Sequence, residues 1–358
     1  MTATVSRRTG FHSLRVAEVE RLCEDAVAVT FDVPDELAGS YDFRAGQSLT
    51  LRRTIDGREE RRSYSICTPE GTRPRIGVRE VPGGLFSTWL VRNVRAGDEI
   101  EVGTPTGNFT PHPAVPGHHV LIAAGSGITP MVSIAATVLR EPGTTVTLLY
   151  GNRRTDTVMF ADELADLKDR YPTRLELVHL LSREPREAEL FTGRLDAAKL
   201  DALHPLLGEL SGVDHWWLCG PFQLVTAARD HLRDAGVLED RIHLELFFVD
   251  DAPPAPTRHQ DPAADGEASD VTIVLDGRST TVSLPRDISV LDGAQRARPD
   301  LPFACKGGVC GTCRAKVTDG KVDMRRNFAL EKAEIDAGFV LTCQSLPCSD
   351  EVTVDFDA

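Results

Sequence analysis

Apolar and polar positions change rhythm twice along this chain. As far as about residue 111, short apolar segments such as AVAVTFDV, SLTLRR and RIGVREV are separated by Gly, Pro and Asp and show little helical periodicity. That pattern predicts a small antiparallel β-barrel. Beyond the punctuation at Pro111, Pro113 and Pro116, apolar runs lead into amphipathic stretches: HVLIAAG into PMVSIAATVLR, TVTLLYG into ADELADLKDRY, then LELVHLL, and HWWLCG into PFQLVTAARDHLRDAG. Strand and helix in alternation predict a parallel sheet covered on both faces. A second break, DDAPPAPTRHQDPAADGEASD from Asp250 to Asp270, has almost nothing to bury and reads as a semi-extended linker. After it, VTIVLDGRSTTVSL predicts a hairpin turning at Asp276 and Gly277, because Asp-Gly accepts the positive backbone angles of a tight turn. The expected domains are 10–113 (barrel), 114–249 (α/β), 250–269 (linker) and 270–358.

A length of 358 residues accommodates two or three such domains, each with its own core. The net charge of −14, with both signs spread along the chain, argues against a nucleic-acid partner. MTATVSRRTGFHSL has an arginine pair without an apolar run behind it, and no stretch approaches the roughly eighteen apolar residues of a membrane span. The expectation is a cytoplasmic protein without a membrane partner.

Eight cysteines in a reducing compartment are better read as ligands or redox groups than as disulfides. In CKGGVCGTC, Cys305, Cys310 and Cys313 have C-x4-C-x2-C spacing, and Cys343 follows. Four thiolates so arranged are the ligand set of a plant-type [2Fe–2S] cluster. Gly307, Gly308 and Gly311 suit a loop whose N–H groups must point at sulfur. Zinc is the competing reading, but zinc sites usually pair two C-x2-C knuckles and only one is present. For Cys23, Cys67, Cys219 and Cys348 a small buried or incidental thiol is the default. Cys348 is the extra thiol near the ligand set and is expected to be a bystander.

In RRSYSICTP, Arg62, Tyr64 and Ser65 resemble the Arg-x-Tyr-Ser motif of the ferredoxin-NADP reductase family. An arginine there neutralises flavin phosphate, a tyrosine packs on the isoalloxazine and a serine sits near the reactive nitrogen. Arg79, Gly84 and Ser87 in GVREVPGGLFSTWL are similar to the pyrophosphate segment of family members that hold FAD; read alone, they are a turn opening a helix with Ser87 as cap. AGSGITP joins a buried strand to a helix, where an open α/β sheet binds a dinucleotide. It resembles the family's nicotinamide loop, which implies Gly125, Gly127 and Thr129 in that role. CGPF, again at a strand end, places Cys219 and Gly220 on the nicotinamide side by the same resemblance, although a buried strand-end cysteine fits equally. Glu245 and Phe247 in HLELF resemble the family's terminal Glu-x-aromatic element, and core packing also explains Phe247. The second strand of the α/β domain ends in Gly151, Asn152, Arg153 and Arg154 without the acid that usually holds an adenosine ribose. Ser182 and Arg183 resemble the family's 2′-phosphate pair, which implies NADPH.

These motifs occur in family order, so the resemblance covers nearly the whole chain. It implies a multidomain fold: an antiparallel β-barrel for FAD, an α/β parallel-sheet domain for NADPH and an α+β β-grasp ferredoxin. LLSREPREAEL, TGRLDAAKL, MRRNFALE and VLTCQSLP are similar to reductases serving di-iron oxygenases of aerobic phenylacetate degradation. Reductases of steroid hydroxylases share the domain order. The implied activity is two-to-one electron conversion: FAD accepts a hydride pair and the [2Fe–2S] centre passes single electrons to a di-iron oxygenase. Ser65, Cys219 and Glu245 would shape hydride transfer. The competing readings are a reductase for a ring or steroid hydroxylase, and a redox sensor without turnover.

Overall fold

A computed structural model describes residues 10–55, 58–111, 116–247, 268–330 and 332–358. The first strands are β1 (Phe11–Cys23), β2 (Ala26–Asp32), β3 (Ser48–Ile55), β4 (Arg58–Ser65), β5 (Arg75–Arg79) and β6 (Glu99–Gly103), with helix α1 (Leu85–Arg92) between β5 and β6. They form one sheet in the order β4-β3-β6-β1-β2-β5, and an antiparallel bridge between Ile66 and Ile76 joins its two ends into the expected barrel. Closure removes sheet edges. Strand β2 shows how alternation serves two cores. Val27, Val29 and Phe31 point into the barrel, while Ala26 and Ala28 belong to the core of the α/β domain. Small residues on the outer face leave room for that domain to pack closely.

The α/β domain has strands β7 (His118–Ala124), β8 (Thr145–Asn152), β9 (Leu175–Leu181), β10 (His215–Gly220) and β11 (Ile242–Leu246), with helices α2 (Ile128–Val138), α3 (Ala161–Arg170), α4 (Ala197–Leu207) and α5 (Phe222–Asp234). All pairings are parallel, in the order β11-β10-β7-β8-β9. The chain steps outward from β7 in one direction and then returns to its other side. The switch point therefore lies between the carboxyl ends of β7 and β10, where such sheets bind ligands. AGSGITP and CGPF are the segments that leave those two ends.

At the opposite ends of the same strands four rings stack. His119 is the registered partner of His215, and Trp217 that of His243. Trp217 Nε1 donates to His119 Nδ1 at 3.2 Å, His215 stacks on His119 at 4.9 Å, and His243 stacks on Trp217 at 4.2 Å. Burial, helped by neighbouring imidazoles, lowers the pKa of His119 and of His243 to about 4.

The last strands are β12 (Ala268–Leu275), β13 (Arg278–Pro285), β14 (Arg314–Asp319), β15 (Val322–Met324), β16 (Phe339–Leu341), β17 (Ser345–Pro347) and β18 (Glu351–Asp355); α6 (Val290–Ala294) follows β13 and α7 (Lys332–Asp336) precedes β16. Five form a mixed sheet ordered β13-β12-β18-β14-β16, and β15 pairs with β17. The β12–β13 turn is at Asp276 and Gly277, with φ of 53° and 67°.

Two compact units divide the chain. One holds the α/β domain and the barrel apart from Thr54–Arg61; the other holds Thr54–Arg61 and the residues from β12 onward. Of the expected linker, all but Ala268 and Ser269 lies outside the described residues. No helix among the described residues is long and apolar enough to cross a membrane.

Candidate functional site

Three residues distant in sequence meet above the switch point. Strand register pairs Cys219, near the end of β10, with Glu245 on β11. Ser65, the last residue of β4, donates its hydroxyl to Glu245 Oε2 at 3.1 Å, and the Cys219 thiol lies 3.9 Å from the same oxygen. Ser65 and Cys219 are buried. Burial raises the Glu245 pKa to about 7, against the opposing pull of the Ser65 and Cys219 hydrogen bonds. Burial, and then the adjacent carboxylate, push the Cys219 thiol well above its ordinary value. Cys219 is thus a neutral thiol rather than a nucleophile, and Glu245 is a carboxyl group balanced between its two charge states at neutral pH.

The loop opening α2 is held as bare backbone against this site. A Cβ at Gly127 would fall 2.2 Å from the Cys219 carbonyl oxygen, and one at Gly220 would fall 3.2 Å from Ala124 N, so neither position admits a side chain without movement. Gly125 has φ 56°, and its carbonyl accepts the Tyr150 hydroxyl at 3.1 Å. Thr129 is buried and donates to Ser126 O at 2.8 Å. A helix start built on glycine backbone fits a dinucleotide.

On the barrel, Tyr64 is half-buried with its ring 6.2 Å from that of Phe86, and burial raises its phenol pKa. Arg62, two residues before it on β4, is also half-buried. Ser87 Oγ accepts from Val81 N at 3.1 Å, and a Cβ on Gly84 would lie 2.6 Å from that oxygen. Ser87 therefore locks the turn into α1. The Arg79 guanidinium pairs with Asp25 at 3.2 Å and donates to the Thr157 carbonyl. Phe247 packs, partly buried, on the core of the α/β domain. Beyond β8 and β9, Ser182 N donates to Asn152 O at 2.9 Å and Arg183 N to Arg153 O at 2.8 Å. Both side chains are exposed, and the Arg183 guanidinium has no partner among the described residues. Glu184 is occupied by Thr155, whose backbone and hydroxyl hydrogen bonds lower its pKa.

The four ligand candidates gather in the other unit as two thiol pairs, Cys305 with Cys310 and Cys313 with Cys343, each within hydrogen-bond reach. The Cys310 hydrogen bond brings the Cys305 thiol to about 6; burial opposes, and the amides of Val309, Gly307 and Cys310 assist. Gly307 N lies 3.3 Å from Cys305 Sγ. Two pairs of thiols suit two irons, each taking two, and N–H groups aimed at sulfur suit an anionic cluster. Cys313 and Cys343 are part of the core of this unit. Cys348 is exposed, with its thiol turned to Leu346 O at 3.4 Å.

The motifs missed the residues that brace these sites. Lys306 has φ 52°. Its ammonium reaches Asp292 at 2.6 Å and Gln295 at 2.7 Å, while its carbonyl accepts from Gln344 at 2.8 Å. Gln344 adjoins a ligand in sequence, which is the one local signal it carries. Asp25 and Tyr150 carry none.

Residues 13–110 match the oxidoreductase FAD-binding domain family, residues 121–230 the oxidoreductase NAD-binding domain family, and residues 273–348 the 2Fe-2S iron-sulfur cluster binding domain family. The chain is 43% identical over 355 residues to a component of 1,2-phenylacetyl-CoA epoxidase from Escherichia coli K12, covering 98% of this chain and 99% of that one. It is 34% identical over 353 residues to the ferredoxin reductase component of 3-ketosteroid-9-alpha-monooxygenase from Rhodococcus rhodochrous, covering 96% of each. The solved structure of phthalate dioxygenase reductase superposes with a TM-score of 0.59 at 25% identity, covering 99% of this chain and 100% of that one. With the three domains in the same order over nearly its full length, the chain belongs to the family of FAD-, NAD- and [2Fe–2S]-binding oxidoreductases that includes the reductase components of these oxygenases.

Proposed function

We propose that this chain is the cytoplasmic reductase component of a phenylacetyl-CoA epoxidase, taking electrons from NADPH and delivering them singly to a di-iron oxygenase component. The observation that carries the reading is the meeting of Ser65, Cys219 and Glu245 in a chain that also brings four thiols together as two pairs. FAD, when bound, accepts electrons as a pair and releases them one at a time. The chain's own residues do the rest. Arg62, Gly84 and Ser87 hold the flavin phosphates, with Arg79 bracing that segment through Asp25. Tyr64 and Phe247 flank the ring, and Ser65 orients Glu245. Gly125, Gly127, Thr129 and Gly220 receive the nicotinamide nucleotide, with Cys219 as a neutral wall. Ser182 and Arg183 take the 2′-phosphate, and Cys305, Cys310, Cys313 and Cys343 hold the cluster. The corresponding domain boundaries are 10–113, 114–249 and 270–358.

The full-length identity favours the phenylacetyl-CoA partner over the steroid one. The test is reconstitution of purified holoprotein with the oxygenase components of each system. NADPH-driven oxygenation of substrate with the first set and none with the second is expected; the reverse overturns the assignment. In the same assay, Arg183→Ala should reduce the preference for NADPH over NADH by about tenfold, the worth of a charge-assisted contact. An unchanged ratio of kcat/KM values removes Arg183 from the site.

A further inference from the structure

Phe160, at the start of α3, has φ 58°. The left-handed region is costly for a bulky side chain and persists only where packing over-determines it. The packing is specific. Phe160 is wholly buried, and a Cβ built on Gly77 of β5 would meet Phe160 Cζ at 2.7 Å and Thr129 Cγ2 at 3.0 Å. Gly77 is thus a slot in the barrel's outer face, its floor continued by its registered partner Ala28 on β2. The phenyl ring and the Thr129 methyl share that slot.

The segment carrying Phe160 is tied down residue by residue. Arg79 donates to the Thr157 carbonyl. Met159 N donates to the Tyr150 hydroxyl at 3.3 Å, which in turn donates to Gly125 O at 3.1 Å. The Arg75 guanidinium lies 5.5 Å from the centre of the Phe160 ring and pairs with Glu20 at 2.5 Å and with Glu163 of α3 at 3.0 Å. Residues 157–160 therefore reach both ends of the loop from Gly125 to Thr129. Core packing alone asks for an apolar side chain here, but it gives no reason for the left-handed backbone that drives the ring into one slot.

We propose that Phe160 is a positioning residue for hydride transfer, wedging Thr129 across Gly77 and so fixing the place where the nicotinamide ring is received. The inference rests on the reading of Thr129 as a nicotinamide-facing residue. Its physical basis is that reacting atoms must be held in near-attack geometry, and a misplacement of about 1 Å costs on the order of 10² in rate.

The test uses full-length holoprotein carrying Phe160→Leu, Thr129→Ser (which removes the methyl and keeps the hydroxyl), and both together. Flavin reduction by NADPH is followed in stopped flow, NADP⁺ affinity by difference titration of the oxidised protein, and FAD content by release. Each single change should slow flavin reduction on the order of tenfold, with NADP⁺ affinity and FAD content held, and the double variant should be no slower than the worse single, because both act through one contact. A Phe160→Leu protein that loses thermal stability but reduces flavin at the wild-type rate overturns the proposal, as do additive effects. A silent Thr129→Ser overturns the reading of Thr129 as well, which separates the two failures. Should Phe160→Leu fail to fold, Gly77→Ala pushes on the same contact from the barrel side. It should give the same loss of rate at unchanged NADP⁺ affinity, and an unchanged rate there is equally fatal.

Discussion

The cluster loop and the Ser65–Cys219–Glu245 site are built on opposite plans. Three of the four candidate ligand thiols come from one short loop, shaped by its own backbone: Lys306, Gly308 and Gly311 have φ of 52°, 80° and 65°. A Cβ on Gly308 would lie 3.1 Å from both Arg326 O and Gln344 Cγ. The Ser65–Cys219–Glu245 site has no such local frame. Its three side chains come from β4, β10 and β11 and meet only because barrel and α/β domain share a core in which Ala26, Ala28, Cys219 and Phe160 all take part. A site written in one loop depends on its ligands. A site made by packing two domains depends on residues that never touch the chemistry.

The most damaging change to the first plan is loss of a ligand. Cys343→Ala should abolish the cluster spectrum and reduce NADPH-driven oxygenation to background, while flavin-dependent ferricyanide reduction stays near wild type. Cys348→Ala should change neither. A full cluster spectrum in Cys343→Ala would make Cys348 the candidate fourth ligand and break the comparison at its simplest point.

The second plan is probed by Glu245→Gln, which keeps a hydrogen-bond acceptor for Ser65 and removes the charge. A nicotinamide that gives up hydride becomes a cation, and a carboxylate beside it favours that change. With the Glu245 pKa at about 7, wild-type flavin reduction should rise as pH increases through 7. The variant should be slower, on the order of 10², and flat over that range when rates are measured from about pH 6 to about pH 8.5, spanning the carboxyl's titration. A retained inflection would assign the titration to another group.

The smallest effect concerns stability. His119 and His243 titrate near 4 in the fold, below the ordinary histidine value of about 6.5. The unfolded chain therefore takes up protons first, and stability present above about pH 6.5 is lost as pH falls toward 4. For His119 the shift corresponds to on the order of 3 kcal/mol. His119→Phe should leave flavin reduction at pH 7 unchanged and lower the thermal midpoint modestly, through the unpaired Trp217 N–H. It should also make the fall in midpoint between pH 7 and pH 5 shallower. An equal slope would locate the acid sensitivity elsewhere, at His243 or His118, whose pKa values burial also lowers.

Local patterns carried much of this molecule into view. Asp276-Gly277 turns where Asp-Gly predicts, and the run HVLIAAG is the central strand β7 because a strand buried on both faces must be continuously apolar. The C-x4-C-x2-C spacing is legible because its geometry is contained in one loop. Strands β1, β4 and β6 escape the apolar reading: FHSLRVAEVERLC, REERRSYS and EIEVG are largely polar, and β1 and β6 send only alternate residues, Leu14 and Val16 and then Ile100 and Val102, into the barrel core. The convergence of Ser65 with Glu245 is visible through family resemblance and not through spacing, since 180 positions separate them. Phe160 has no motif at all. Its role depends on a glycine in another domain, and nothing in TDTVMFADE foretells a positive φ.

Strand β18 lies between β12 and β14, pairing with both, and it is made after every other strand described here. The barrel and the α/β domain are complete by Leu246, whereas the sheet that frames the thiols has its centre missing until Glu351–Asp355 emerge from the ribosome. Because domains fold as units and the earlier one folds first, the nascent protein passes through a stage at which its flavin-binding half is formed and its iron-binding half is not. Iron and sulfide would then meet a chain whose first unit is already folded. A chain folded without them would have an entrance for electrons and no exit.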